Sequence, residues 1–146
     1  YSGILPIAKN EDGIASIMGH EIAHAVARHS AERASTAMLT DFGIMAVEKF
    51  ILGQRLPQAS GYVRQFGLDL PFNRKQETEA DYLGIIFSSL AGYNIEESYK
   101  VWERMKEEGG SGPAEFWSTH PSPVNRIKKL KEWIPIVSRQ YPAMSI

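Results

Sequence analysis

The sequence predicts a mainly α-helical chain, on three observations. Apolar residues recur at helical spacing through most of its 146 residues. Residues suited to starting helices (Asn10, Asn73, Asn94 and Ser122 with Pro123) each stand before such a stretch. Only the opening YSGILPI reads like the end of a strand, running into a proline turn.

Asn10 caps the first expected helix, with Glu11 and Asp12 in its first turn where the helix dipole favours negative charge. Ile14, Ile17, Met18, Ala25 and Val26 form its apolar side, and the pattern carries it to about His29. A second helix is expected over residues 32–52. It is apolar nearly all round in FGIMAVEKFIL, which reads as a buried core helix rather than a membrane or partner contact. The glycines and prolines of residues 53–72 suggest a lid-like connection with a short helix over 59–66 and mobility on either side. Asn73 then caps the helix RKQETEADYLGIIFSSLAGY, and Gly92 suits its left-handed C-terminal position. Asn94 starts another helix, IEESYKVWERMKEE, which GGSGP ends. In THPSPVNRIKKLKEWIP, Ser122 and Pro123 fit the N-cap and N1 positions, and a tail follows Pro135.

The length fits one domain with a real core. Sixteen basic against seventeen acidic residues leave a net charge of −1, so no nucleic-acid footprint is expected. With no cysteine, disulfides, thiolate metal sites and a cysteine nucleophile are excluded. Any metal must be held by histidine and carboxylate. No apolar run reaches the roughly 18 residues of a spanning helix. Because the chain opens on Tyr1 rather than Met, it is expected to be a fragment, in which any leader or anchor would not be seen.

The chemistry concentrates in HEIAH. Helical residues four apart lie about 40° from one another round the axis, so His20 and His24 share a face and can chelate one ion. Glu21, about 100° round, can reach a water on that ion without ligating the ion itself. His29 would stand about 140° off that face if the helix continued. The metzincin spacing, which wants Gly and His after the second ligand, meets Ala27 and Ser30 instead. His29 is therefore read as a packed or surface residue. The third ligand must come from elsewhere, and ETEAD offers it. Glu77 and Asp81 share a helix face, whereas Glu79 lies about 200° from Glu77, so one ion cannot use both glutamates. Glu77 is the ligand of choice, with Asp81 one turn on to accept a ligand histidine's N–H. Gly19 and Gly84 are unfavourable in helices, and they fit two helices that must approach closely enough to share an ion.

With these motifs in place, the chain resembles the gluzincin metallopeptidases of the HtpX and CAAX prenyl endopeptidase type, in their soluble bacterial and mitochondrial quality-control branch. The resemblance rests on GHEIAHAVARH, on ETEAD beginning 53 residues after His24 with Gly84 three residues beyond it, on LPFNRKQETEADYLG, and on STHPSPVNRI. It spans residues 1–134 as a catalytic domain, leaving 135–146 as a C-terminal tail. It implies a gluzincin-type fold in which the HExxH helix packs on a glutamate helix, with at most a remnant strand at the N-terminus. It also implies one zinc ion per chain on His20, His24 and Glu77, Glu21 as catalytic base, and Asp81 behind a ligand. His120 and Arg126 match the family's H-P-x-x-x-x-R element, placed beside the metal.

The implied activity is zinc-dependent endopeptidase cleavage of unfolded or extended polypeptides in protein quality control, with Glu21 as general base on the zinc-bound water. A non-catalytic or latched zinc-bound chaperone or interaction module is the alternative. Family members carry a substrate-aligning β-hairpin before this helix, of which only YSGIL could remain, so hydrolysis by this stretch alone is expected to be weak. The implied setting is the bacterial cell envelope or periplasm, with a mitochondrial or membrane-associated setting as the alternative. Membrane association would come through parts outside this chain. Pro121 biases the backbone of His120 away from helix, which puts His120 on a stiff corner. From there it would either donate to the oxyanion or, in the favoured resting state, close the zinc as a fourth ligand.

Overall fold

The computed structural model describes residues 2–53, 57–62, 65, 70–107 and 124–145. The described elements are helical in order: a 3-10 turn Ser2–Ile4, α1 Leu5–Ala8, α2 Glu11–Val26, α3 His29–Val47 continued by a π-helical turn Glu48–Leu52, α4 Pro57–Tyr62, α5 Leu70–Leu90, α6 Glu97–Glu107 and α7 Val124–Gln140. Among the described residues there is no strand. The expected strand end at the N-terminus is instead two short helical segments. Pro6 stands in the first turn of α1, where its missing N–H goes unused. Ile7 and Ala8 anchor the segment by burial, at 2% and 0% exposure.

The chain divides into two compact units, Tyr1–Ala23 with Glu77–Ile146, and His24–Gln76. In the first unit the core is Ile7, Ile85, Ile86, Ile95, Val101, Trp102, Met105, Leu130, Ile134 and Val137. Helices α6 and α7 supply most of it from residues spaced three or four apart, as amphipathic helices do. The Asn10 side chain accepts from the Gly13 N–H at 2.8 Å, which caps α2 as expected. Gly92 takes the left-handed conformation (φ 83°) after α5.

Four boundaries differ from the sequence reading. α2 stops at Val26, because Arg28 turns left-handed (φ 56°) and α3 begins at once with His29. α5 starts at Leu70, three residues before Asn73, with Pro71 in its permissive first turn. α4 covers Pro57–Tyr62, earlier than the expected short helix. α7 continues through Pro135 to Gln140. Burial of Ile134 and Val137 on either side offsets the hydrogen bond that a proline removes. The chain after α7 is tied back to α5: the Ser89 hydroxyl donates to the Tyr141 carbonyl at 2.6 Å, and the Met144 N–H to the Leu90 carbonyl at 2.9 Å.

In the second unit, the expected buried core helix is exposed. Phe42, Phe50 and Ile51 are 72%, 80% and 75% exposed. The described part of this unit is α3 with its π-helical end, α4 and the adjoining ends of α2 and α5, too little surface to cover a helix that is apolar all round. The expected mobility around α4 and the Ser122 and Pro123 capping positions lie outside the described residues.

Candidate metal centre

Two glycines let the site exist. A Cβ on Gly19 of α2 would stand 2.8 Å from the Gly84 carbonyl oxygen of α5, and a Cβ on Gly84 would stand 2.9 Å from the His20 backbone nitrogen. These neighbours are backbone atoms and cannot step aside. The helices therefore touch main chain to main chain, as the glycine placement suggested, and the side chains one turn on are brought within reach of one another.

His20 is 7% exposed and is held at both ring nitrogens. Its Nδ1 lies 3.1 Å from Asp81 Oδ1, and its Nε2 lies 3.4 Å from Glu77 Oε2. A carboxylate accepts only, so both ring nitrogens face acceptors, and a metal that took Nε2 would leave the proton on Nδ1 against Asp81. Burial alone would pull the imidazole pKa down. The hydrogen bonds to Asp81 and Glu77 together outweigh it and hold the ring above its ordinary value.

Arg126 of α7 closes the arrangement from behind. Its Nε and Nη2 both donate to Asp81 at 2.6 Å, a bidentate fork, and its Nη1 lies 3.0 Å from Glu77 Oε2. The guanidinium stacks 3.8 Å above the Trp102 ring, and the His20 ring meets Trp102 edge-on at 6.4 Å. Burial would push the Asp81 carboxyl up, but the charge and hydrogen bonds of Arg126, with the His20 hydrogen bond, hold it below its ordinary value. Arg126 is 5% exposed and lies in helical register with Leu130, Ile134 and Val137 on the buried stripe of α7.

His24 follows His20 by one turn of the same helix and is 8% exposed. Its Nδ1 lies 2.8 Å from His29 Nδ1. His29, at 1% exposure, is packed rather than at the surface. The ligand atoms of His20, His24 and Glu77 all lie within 4.8 Å of one another. Two imidazoles and a carboxylate, all buried and without a thiolate, are a donor set that suits a catalytic zinc ion. Glu21, next to His20, is exposed. Glu79 is exposed while Glu77 is 2% exposed, so α5 turns one glutamate inward and the other out. His120 lies outside the described residues.

Sequence reasoning missed Trp102 and the contact of His29 with His24. Trp102 belongs to the apolar stripe of α6 and nothing in the sequence marks it as facing the site. The His29 contact exists only because the helix breaks at Arg28, a position without the glycine that usually signals a left-handed turn.

The profile of Peptidase family M48 matches residues 1–134. The chain belongs to that family. Over 138 residues it is 46% identical to the mitochondrial metalloendopeptidase OMA1 of Schizosaccharomyces pombe, a match covering 92% of this chain and 40% of that protein. It is 38% identical to the OMA1 of Saccharomyces cerevisiae, covering 97% of this chain and 42% of that protein. It is 30% identical to the β-barrel assembly-enhancing protease of Escherichia coli, covering 87% of this chain and 28% of that protein. The chain thus spans about two fifths of the length of these two yeast relatives. No solved structure gives a significant match. The family match agrees with the mainly α fold, and the His20, His24 and Glu77 group could hold a metal ion.

Proposed function

We propose that the protein is a zinc-dependent endopeptidase acting on unfolded or extended polypeptides, with His20, His24 and Glu77 holding the zinc. The observation that carries this reading is the buried group of two histidines and one glutamate with an exposed Glu21 beside it. When bound, zinc supplies Lewis acidity, which lowers the pKa of water to about 7 and polarises a carbonyl. Glu21 takes the proton from the attacking water and returns it to the departing amine nitrogen. Asp81 holds the His20 ring by its Nδ1 proton, and Arg126 holds Asp81 and Glu77 in place, as a positioning residue rather than one that touches substrate. A purely structural zinc site would have no use for an exposed carboxylate next to a ligand, which favours the enzyme over a zinc-bound scaffold.

The names of the relatives favour a mitochondrial setting over the bacterial envelope, since the more similar ones are mitochondrial. A role in protein quality control would follow from unfolded substrates. Among the described residues no helix is long and apolar enough to cross a membrane.

The test is digestion of casein by the purified protein, with and without a chelator, for the parent and for Glu21→Gln. Cleavage should stop with chelator and return with zinc. Glu21→Gln should keep the fold and the zinc while losing at least about a hundredfold in rate, the range for a lost general base. Cleavage by Glu21→Gln at the parent rate would contradict the mechanism.

A further inference from the structure

The two histidines of HEIAH are supported by different chemistry, and the support of His24 has no place in the mechanism above. We propose that His29 is the positioning residue for His24: its Nδ1 accepts the Nδ1 proton of His24 and so commits His24 Nε2 to the metal. This rests on the reading of His20, His24 and Glu77 as zinc ligands.

Two imidazole nitrogens 2.8 Å apart share one proton, so one ring donates and the other accepts. If His29 donated, His24 would carry its own proton on Nε2, and its Nδ1 would already be taken. Neither nitrogen could then bind a metal. If His24 donates, its lone pair lies on Nε2, and the contact selects the ligating tautomer. Neutral histidine in water favours the proton on Nε2, so His24 needs an acceptor at Nδ1 to hold the other form. His29 fits the acceptor role, because that leaves its own proton on the favoured Nε2.

The fold supports His29 in that place. Arg28 adopts φ 56° and ψ 33°, a left-handed conformation that disfavours a residue with a Cβ. That turn starts α3 at His29 and returns the ring to His24, the rings meeting edge-on at 4.8 Å. The His29 carbonyl accepts from the Gln76 amide at 3.3 Å, and the same amide donates to Glu32 at 2.9 Å. Gln76 is 2% exposed and directly precedes Glu77. His29 is therefore held by its backbone as well as by its ring. His20 has the same arrangement with a carboxylate, Asp81, in the acceptor position.

The experiment reads the ring tautomers of the four histidines by nitrogen-15 correlation spectra of the zinc-free protein at about pH 8, where an ordinary histidine (pKa about 6.5) is neutral. It then measures zinc affinity by competition with a chelator. In the parent, His24 should carry its proton on Nδ1. His29→Leu should shift that proton to Nε2 and weaken zinc binding by roughly ten- to a hundredfold, the usual effect of losing a ligand's hydrogen-bond partner. His29→Asn, whose side-chain oxygen can occupy nearly the place of the ring Nδ1, should restore the tautomer and most of the affinity. Merely filling space would not separate leucine from asparagine in this way. The proposal is overturned if His24 of the parent is protonated on Nε2, if His29→Leu keeps the parent's tautomer and affinity, or if His29→Asn falls as far as His29→Leu. Should His29→Leu fail to fold, the parent tautomer and His29→Asn still decide. A parent that binds no zinc would sink the metal reading itself, and the parent titration separates that failure from this one.

Discussion

Helices α5 and α3 are similar in length, 21 and 19 residues, and opposite in what they bury. α5 takes Gln76, Glu77, Asp81, Ser88 and Ser89 out of solvent. α3 leaves Met38, Leu39 and Phe42 in it at 74%, 74% and 72% exposure. Their glycines differ in the same sense: Gly84 is pressed against the backbone of α2, whereas Gly43 has nothing within 4 Å of a Cβ. An apolar interior in place of the buried charges would be at least as stable, because desolvation of ions is costly. Buried charge with a fitted counter-charge is instead what a metal centre requires. In these two helices, burial follows the chemistry of the site rather than hydropathy.

The sharpest way to break it is at Arg126. Arg126→Met leaves Glu77 and Asp81 without their guanidinium, and the zinc-free protein should lose about 3–5 kcal/mol in chemical denaturation, the usual result of removing one partner from a buried ion pair. A loss under about 1 kcal/mol would mean that α5 does not depend on its charge balance. The glycines give the next largest contrast. Gly84→Ala should destabilise by about 1–3 kcal/mol through overpacking, although alanine is the better helix former. Gly43→Ala, with open space around it, should stabilise by about 0.5–1 kcal/mol. Equal effects at the two positions would remove the difference in packing between the helices.

A smaller effect is expected at Glu97 of α6, which pairs with Lys100 at 3.1 Å and Arg104 at 3.0 Å. Burial raises its carboxyl pKa, but the hydrogen bonds and charges of Lys100 and Arg104 outweigh that and hold it below its ordinary value. A lowered carboxyl pKa stabilises the fold above the unfolded-state pKa, and the contribution fades as pH falls through the folded-state pKa. Glu97→Gln should therefore cost about 1–2 kcal/mol near neutral pH and almost nothing once the parent carboxyl is protonated in strong acid. A cost that stays constant with pH would show that the ion pairs contribute nothing.

Much of the candidate site was legible because helical period converts spacing into direction. His20 and His24 on one face, Glu77 rather than Glu79 turned inward, Asp81 one turn beyond, and glycines at the closest approach all follow from that conversion. Arg126 was legible through the family motif alone, since the helix that carries it was expected to end at Pro135. The His29 contact was not, since a helix extended past Val26 points that ring away, and only the left-handed Arg28 brings it back. The exposure of α3 was hidden for a related reason. An apolar pattern reports what a helix could bury, whereas exposure depends on what stands around it. The short helical start at Ser2–Ile4 and Leu5–Ala8 was misread because a few apolar residues before a proline fit a strand end or a first helical turn equally well.

The proposed centre requires Glu77 to join the two histidines at one metal ion. The most direct test is the zinc content per chain, by mass spectrometry under native conditions, of the parent, Glu77→Ala and Glu79→Ala. The parent and Glu79→Ala should each carry about one zinc per chain, and Glu77→Ala should carry almost none, with a lower melting temperature that added zinc does not restore. Full zinc occupancy in Glu77→Ala, or its loss in Glu79→Ala, would contradict the centre described here.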